Sequence, residues 1–203
     1  MDGMPITNKH RTFEISGSSN RTVTDGSKSW ITDKSGNAIS QKYDKIWGFE
    51  NGIAVFRKGD KYGIVNSDGF EILAKRYDNA AIDGDIIRIC ENNKWGFANS
   101  KGEVILEPSY YFFEKFTGQY ARFEETYGYW GVLDKKGQIV IPPNYDYMGA
   151  LDGSVIPVRN RVKYGAIDIE GRVVIPFVYD RIGFSGISGE TTILIRGDEK
   201  IYI

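Results

Sequence analysis

Apolar residues in this chain come as short runs between polar turns, and no window of useful length repeats them at helical spacing. The clearest runs are Ile53-Ala54-Val55-Phe56, Ile86-Ile87-Arg88-Ile89-Cys90, Val155-Ile156-Pro157-Val158 and Thr192-Ile193-Leu194-Ile195. Their β-branched content predicts strands. A glycine precedes the run of each copy (Gly52, Gly84, Gly118, Gly153, Gly189), and a tight polar turn such as Gly59-Asp60 or Asn92-Asn93 follows it. These are hairpin signals. Residues 1–27 are polar, with strand character only at Phe13 and Ile15, and read as an irregular leader or cap. Residues 28–203 read as the folded domain.

The pattern repeats. Tyr62-Gly63, Trp95-Gly96, Trp130-Gly131 and Tyr164-Gly165 follow one another at intervals of 33, 35 and 34 residues. Each pair leads into an Asp/Asn-x-x-Gly turn, at Asp33–Gly36, Asn66–Gly69, Asn99–Gly102, Asp134–Gly137 and Asp168–Gly171. An aliphatic residue follows each turn, and a tyrosine stands four positions beyond it: Tyr43, Tyr77, Tyr110, Tyr145 and Tyr179. Trp47-Gly48 and Tyr127-Gly128 fall outside this register. The first copy carries Ser29-Trp30 in place of the pair. The chain closes on Lys200-Ile201-Tyr202-Ile203, which reads as the opening strand of a partial sixth copy.

One supersecondary unit has therefore been copied. The fold expected is all-β, with tandem three-stranded β-repeats of about 34 residues in five copies. The strand after the turn is expected to end at proline (Pro108, Pro142-Pro143, Pro176) or to lie on an edge. Propeller blades usually carry four strands, so the count favours an open superhelical array over the alternative, a five-bladed propeller-like ring.

Lys94-Trp95-Gly96-Phe97, Asp134-Lys135-Lys136-Gly137 and Ile141-Pro142-Pro143-Asn144-Tyr145-Asp146 resemble the bacterial WG (KWG) repeat family. The resemblance covers roughly residues 28 to 203. It implies a tandem β-repeat found alone or attached to other domains, and it brings no catalytic motif.

Composition narrows the function classes. The net charge of -1 lacks the basic balance of a dedicated nucleic-acid binder. No stretch approaches the apolar length of a membrane span. The segment Met1–Arg11 has no secretory apolar core, so a cytoplasmic setting is expected unless a signal has been removed. The single cysteine, Cys90, lies in an apolar run and reads as a buried structural thiol. The single histidine, His10, lies in the leader, away from any candidate nucleophile. Neither cofactor nor metal is implied.

Several recurring residues are candidates for sites. The aromatic–Gly pairs could present one ring per copy to a sugar; the plainer expectation is that each ring packs on its copy in the next unit, with glycine making room. Tyr43-Asp44, Tyr77-Asp78, Tyr145-Asp146 and Tyr179-Asp180 place a phenol beside a carboxylate that is expected to stabilise a turn; the third copy has Tyr110-Tyr111. Lys28, Lys61, Lys94, Lys163 and Lys200 share a register that Tyr129 breaks. Arg57, Arg159 and Arg196 lie five residues before the aromatic position or its equivalent, Arg88 seven and Arg122 eight. Stacked copies would turn these cations into a ladder, a contact surface for an acidic polymer or protein, or else a solvated face that discourages edge-to-edge pairing. The expected function is a non-catalytic binding or scaffold module for a protein or polymer partner. Carbohydrate or cell-envelope binding through the repeated aromatics is the alternative. A carboxylate hydrolase is the third reading, for which Asp83, Asp85, Glu124 and Glu125 are eligible.

Overall fold

The computed structural model describes residues 10–151, 155–185 and 191–202, and every element in them is a β-strand. Gly153, Gly189 and Ile203, which entered the sequence reading, lie outside the described residues. The chain divides into two compact units, residues 1–108 and 109–203.

The first unit carries three antiparallel sheets. These are β1 (Arg11–Glu14), β2 (Arg21–Thr24) and β3 (Ser29–Thr32); then β4 (Lys45–Ile46), β5 (Ile53–Lys58), β6 (Lys61–Asn66) and β7 (Glu71–Tyr77); then β8 (Asn79–Asp83), β9 (Ile86–Glu91), β10 (Lys94–Asn99) and β11 (Val104–Tyr110). The second unit carries three more. They are β12 (Phe112–Phe113), β13 (Tyr120–Thr126), β14 (Tyr129–Asp134) and β15 (Ile139–Tyr145); β16 (Tyr147–Met148), β17 (Ile156–Arg159), β18 (Tyr164–Ile167) and β19 (Val173–Tyr179); and β20 (Arg181–Ser185), β21 (Thr191–Arg196) and β22 (Glu199–Tyr202). In every sheet the strands lie in chain order.

Two expectations change. The second to fifth sheets have four strands, not three. The extra strand is β4, β8, β12 or β16, which follows the tyrosine directly and is in most copies too short to show an alternating pattern. Four strands fit into each copy, so strand count no longer favours an open array over a ring. The polar leader also contributes structure: residues 11–24 supply β1 and β2, which pair with β3 from Arg21↔Thr32 to Thr24↔Ser29.

Each apolar run is nearly continuous because successive side chains serve two different cores. Ala54, Phe56 and Val65 pack with Ile15, Ile31, Tyr43 and Ile46, toward the first sheet. Their neighbours Ile53 and Ile64 pack with Ile87, Ile89 and Ala98, in the third. A strand has a side-chain period of two, so both faces of the second sheet are apolar. In the second unit, Val132 and Ile141 meet Met148, Ile156, Val158 and Ile167 in the same way.

The strand after the turn bulges in the second, fourth and fifth copies. Tyr62 pairs with Tyr77 and Ile64 with Leu73, so β7 uses extra residues where β6 advances by two. The same shift separates Trp130↔Tyr145 from Val132↔Ile141 and Tyr164↔Tyr179 from Ala166↔Ile175. Pro142, Pro143 and Pro176 sit inside these bulges. The strands therefore run through proline; as the outermost strand of the sheet they need no donor there.

Candidate interaction surfaces

The glycine of each aromatic–Gly pair faces a backbone carbonyl of the strand that follows the turn. A methyl group at Gly63 would lie 2.6 Å from the Leu73 carbonyl oxygen, at Gly131 2.6 Å from that of Ile141, and at Gly165 2.7 Å from that of Ile175. At Gly96 the Leu106 carbonyl is closer still, and Pro108 N would be 2.8 Å away. The Phe56 and Phe123 rings close the other side of Gly63 and Gly131. Room is thus made for a carbonyl, and in three copies for a phenylalanine (Phe56, Phe123 and Phe177), of the same sheet.

The rings of the pair also find partners in their own sheet, which corrects the expected packing of ring on equivalent ring. Tyr62 stacks on Trp47 at 5.8 Å. Trp130 meets Phe112 edge-on at 5.8 Å, and Tyr164 meets Tyr147 at 5.6 Å. All four rings, Tyr62, Trp95, Trp130 and Tyr164, are half-buried. Guanidinium groups lie over three of them: Arg88 at 5.8 Å from Trp95, Arg122 at 5.5 Å from Trp130 and Arg159 at 5.4 Å from Tyr164.

The tyrosine–aspartate pair joins consecutive sheets. Its ring is buried at Tyr43, Tyr77 and Tyr179 and half-buried at Tyr145; Tyr43 packs on Phe56 at 4.2 Å, and its hydroxyl donates to Glu71 at 3.1 Å. Burial, then the Glu71 charge, pushes the Tyr43 phenol well above its ordinary value. The aspartate faces two ways. Asp44 pairs with Lys28 of the first copy and accepts the Gly59 N–H in the β5–β6 turn at 2.5 Å. Asp78 pairs with Lys61 and accepts the Asn92 N–H in the β9–β10 turn at 2.7 Å. These ion pairs, then the N–H donors, hold both carboxyls below the usual range. Lys163 likewise pairs with Asp180. Tyr129, which interrupts the lysine series, carries the Arg161 guanidinium 5.1 Å from its ring.

The arginines form no simple ladder. Asp44, Asp78, Tyr111, Asp146 and Asp180 donate their N–H groups to the carbonyls of Arg57, Cys90, Glu124, Arg159 and Ile195, which fixes those five as equivalent. Arg88 and Arg122 stand two residues earlier, on the same face. Arg196 stands one residue later, on the opposite face, because the last hairpin closes on Arg196↔Glu199 and puts Lys200 in the place of Tyr62. Most of these cations have acid partners. Arg88 pairs with Asp83, Arg122 binds both oxygens of Glu114 at 2.6 and 2.7 Å, Arg159 pairs with Asp146 at 2.9 Å, and Arg196 with Glu199 at 3.3 Å. Arg57 adds its charge beside Asp44. Lys94 is also engaged.

The turn residues are occupied by backbone. Asp33 and Asp134 each accept two N–H groups at 2.9 Å, and Asn66 accepts those of Asp68 and Phe70. The glycine that ends each turn has φ between +77° and +88°, the conformation glycine adopts at least cost. Among the described residues no three His, Cys, Asp or Glu side chains gather as a metal would require. Among the described residues no helix is long and apolar enough to cross a membrane.

Two places depart from the repeat, and both carry aromatic rings. In the third copy Tyr111 stands where the others have aspartate. The turn it would have clamped is longer, and Glu124 of the same hairpin accepts the Gly128 N–H instead. Tyr111, Phe112 and Tyr127 are 52%, 43% and 89% exposed around this hairpin. In the first unit Trp47 borders two adjacent clefts. Composition gives no hint of either; the signal in the sequence was the off-register pairs Trp47-Gly48 and Tyr127-Gly128.

A family model described as WG containing repeat matches residues 33–62, 62–95, 95–129, 130–163 and 164–186 in succession. No curated protein matches the chain by sequence. Among solved structures, Hsv2 of Kluyveromyces lactis is similar at 10% identity and a TM-score of 0.42, over 87% of this chain and 66% of that one. BamB from Moraxella catarrhalis gives 9% and 0.39, over 94% and 70%. An inactive H270A virginiamycin B lyase from Staphylococcus aureus, solved with quinupristin, gives 19% and 0.32, over 97% and 80%.

Proposed function

From a chain that belongs to the WG containing repeat family, we propose a non-catalytic binding module that docks a protein partner on the edge of its fourth sheet. One observation carries this reading. The repeated aromatic, glycine, aspartate and arginine residues are engaged in holding sheets together, whereas exposed rings cluster where the third copy breaks the pattern. Tyr111, Phe112 and Tyr127 surround one hairpin. Tyrosine and phenylalanine are the residue types that anchor protein interfaces, because they bury large rigid area at little entropic cost. Most of the cationic residues named from sequence have acid partners within the fold, which supports a scaffold role for them over a contact role.

The test is capture of partners from the native organism's lysate by the intact chain and by a Tyr111→Asp/Tyr127→Ser variant of unchanged melting temperature. The variant is expected to lose the partner that the parent retains. Equal capture by both would contradict the assignment of this edge.

A further inference from the structure

We propose that the first sheet binds a small organic monocarboxylate on the face it turns away from the second sheet. The site is a cleft of about 350 Å³ lined by His10, Arg21, Val23, Trp30, Thr32 and Asp33, among others. It lies in the first unit and does not rest on the docking edge proposed above.

The chain departs from its own repeat here. Ser29 bridges Tyr43 as Tyr62 pairs with Tyr77, so Trp30 stands in the place of Gly63. Val23 then pairs with Trp30 as Phe56 does with Gly63, and Arg21 with Thr32 as Ala54 does with Val65. Arg21, Val23, Trp30 and Thr32 share one face because strand side chains alternate. Ile31 points the other way and packs with Tyr43 and Ile46. In the second sheet the equivalent face is built of Ala54, Phe56 and Val65, all in the core. The first sheet puts a guanidinium, an indole and a hydroxyl there instead. A polar outer cap would be served by either donors or acceptors, whereas all three of these groups can donate.

Two of the donors are nearly sealed from water. Trp30 is 8% exposed and Thr32 5%. Neither the Trp30 indole N–H nor the Thr32 hydroxyl has a hydrogen-bond partner among the described residues. No side-chain nitrogen or oxygen there is both buried and unpaired, so these two open on the cleft that their residues line. Such donors gain most from an acceptor that arrives with a ligand. Arg21 is exposed and has no ion pair among the described residues, although Glu14 stands opposite it across the β1–β2 ladder. Its planar fork matches a carboxylate. The face of the Trp30 ring is already taken, by the Lys42 ammonium 4.3 Å from its centroid and the perpendicular His10 ring at 5.4 Å, so the ligand meets the N–H edge. Lys42 is shared with Asp25 at 3.8 Å. The Asp33 carboxylate is engaged by the Ser35 and Asn37 N–H groups and the Asn37 amide. With Asp33 and Glu14 close by, the cleft has little net positive charge, which opposes a phosphate dianion and leaves a single carboxylate as the match. Val23 offers apolar contact to its organic part.

The test is an NMR titration of the nitrogen-15-labelled chain with sodium benzoate at constant ionic strength, with benzamide and inorganic phosphate as comparisons. Benzoate is expected to move the Trp30 indole N–H and the Thr32 amide together and to saturate with a Kd of about 1–10 mM. Benzamide, which has the same shape without the charge, is expected to bind at least about tenfold more weakly. Arg21→Gln is expected to weaken benzoate at least about tenfold with no change in melting temperature, since the side chain is exposed. Thr32→Val keeps the shape, removes the hydroxyl and is expected to weaken benzoate about threefold or more. Tyr111→Asp/Tyr127→Ser is expected to bind benzoate as the parent does, so failure of one site is distinguishable from failure of the other. The proposal is overturned by a Trp30 indole signal that does not move at about 50 mM benzoate, by equal binding of benzamide, by undiminished binding in Arg21→Gln, or by phosphate binding more tightly than benzoate.

Discussion

The Asp78 carboxylate accepts the N–H of Asn92 at 2.7 Å while holding the ammonium of Lys61, so one side chain ties the second sheet to the β9–β10 turn of the third. Asn92 and Asn93 both have positive φ, at 52° and 58°, a conformation that needs external support. Asp78→Ala is expected to speed hydrogen exchange at the Asn92 amide and to lower the melting temperature. Asp78→Asn keeps an acceptor for Asn92 but loses the charge facing Lys61, and should fall between the two. Exchange rates at Asn92 measured by NMR check the order.

Arg122 holds both Glu114 oxygens and the Met148 carbonyl, at 2.6 Å, and lies over the Trp130 ring. Arg122→Ala removes all of these donors from a partly buried site. The expected cost is about 1–3 kcal/mol in urea unfolding. Arg122→Lys should recover little, because an ammonium cannot reproduce the planar fork.

Cys90 is the single thiol, and it is buried in β9. Burial, reinforced by the Asp78 charge, pushes its pKa up, so little thiolate forms at mild pH. A disulfide reagent at about pH 8 is expected to label the folded chain at least about tenfold more slowly than the urea-unfolded chain. Equal rates would place the thiol on the surface.

Asp25, Asp44 and Asp78 are all more acidic in the folded chain than an ordinary carboxyl. Asp25 is brought to about 2 by the N–H groups of Lys28 and Ser27. Asp44 and Asp78 are lowered mainly by their lysines. The unfolded chain therefore takes up protons first as the pH falls. This part of the stability is complete above the ordinary carboxylate range and is lost downward through the folded pKa values. The melting temperature is expected to be flat from about pH 7 to 5 and to fall from about pH 4 to 2. Salt should weaken the Asp44 and Asp78 share more than that of Asp25, whose main partners are uncharged.

Much of the fold was legible because the repeat fixes its own register. The Asp/Asn-x-x-Gly turns, the strand carrying the aromatic–Gly pair and the buried tyrosine all stand where spacing placed them. The short strands were missed because Lys45–Ile46 or Phe112–Phe113 cannot display a period. The strand ends expected at Pro142 and Pro176 were misplaced because a bulge on an edge strand absorbs proline. The proposed sites were hidden for a different reason. Asp83, Glu114 and Asp146 neutralise arginines that sequence alone could only count, while Trp30 and Tyr127 looked like failed copies of the repeat.

The glycine of each pair admits a backbone carbonyl of the strand that follows the turn. Urea unfolding of Gly96→Ala beside Gly48→Ala tests it most directly. A methyl at Gly96 would strike Leu106 and Pro108 backbone, whereas one at Gly48 touches nothing within 4 Å. Gly96→Ala is expected to lose about 1–3 kcal/mol or more and Gly48→Ala to match or slightly exceed the parent. Equal stability of the two variants would contradict the account.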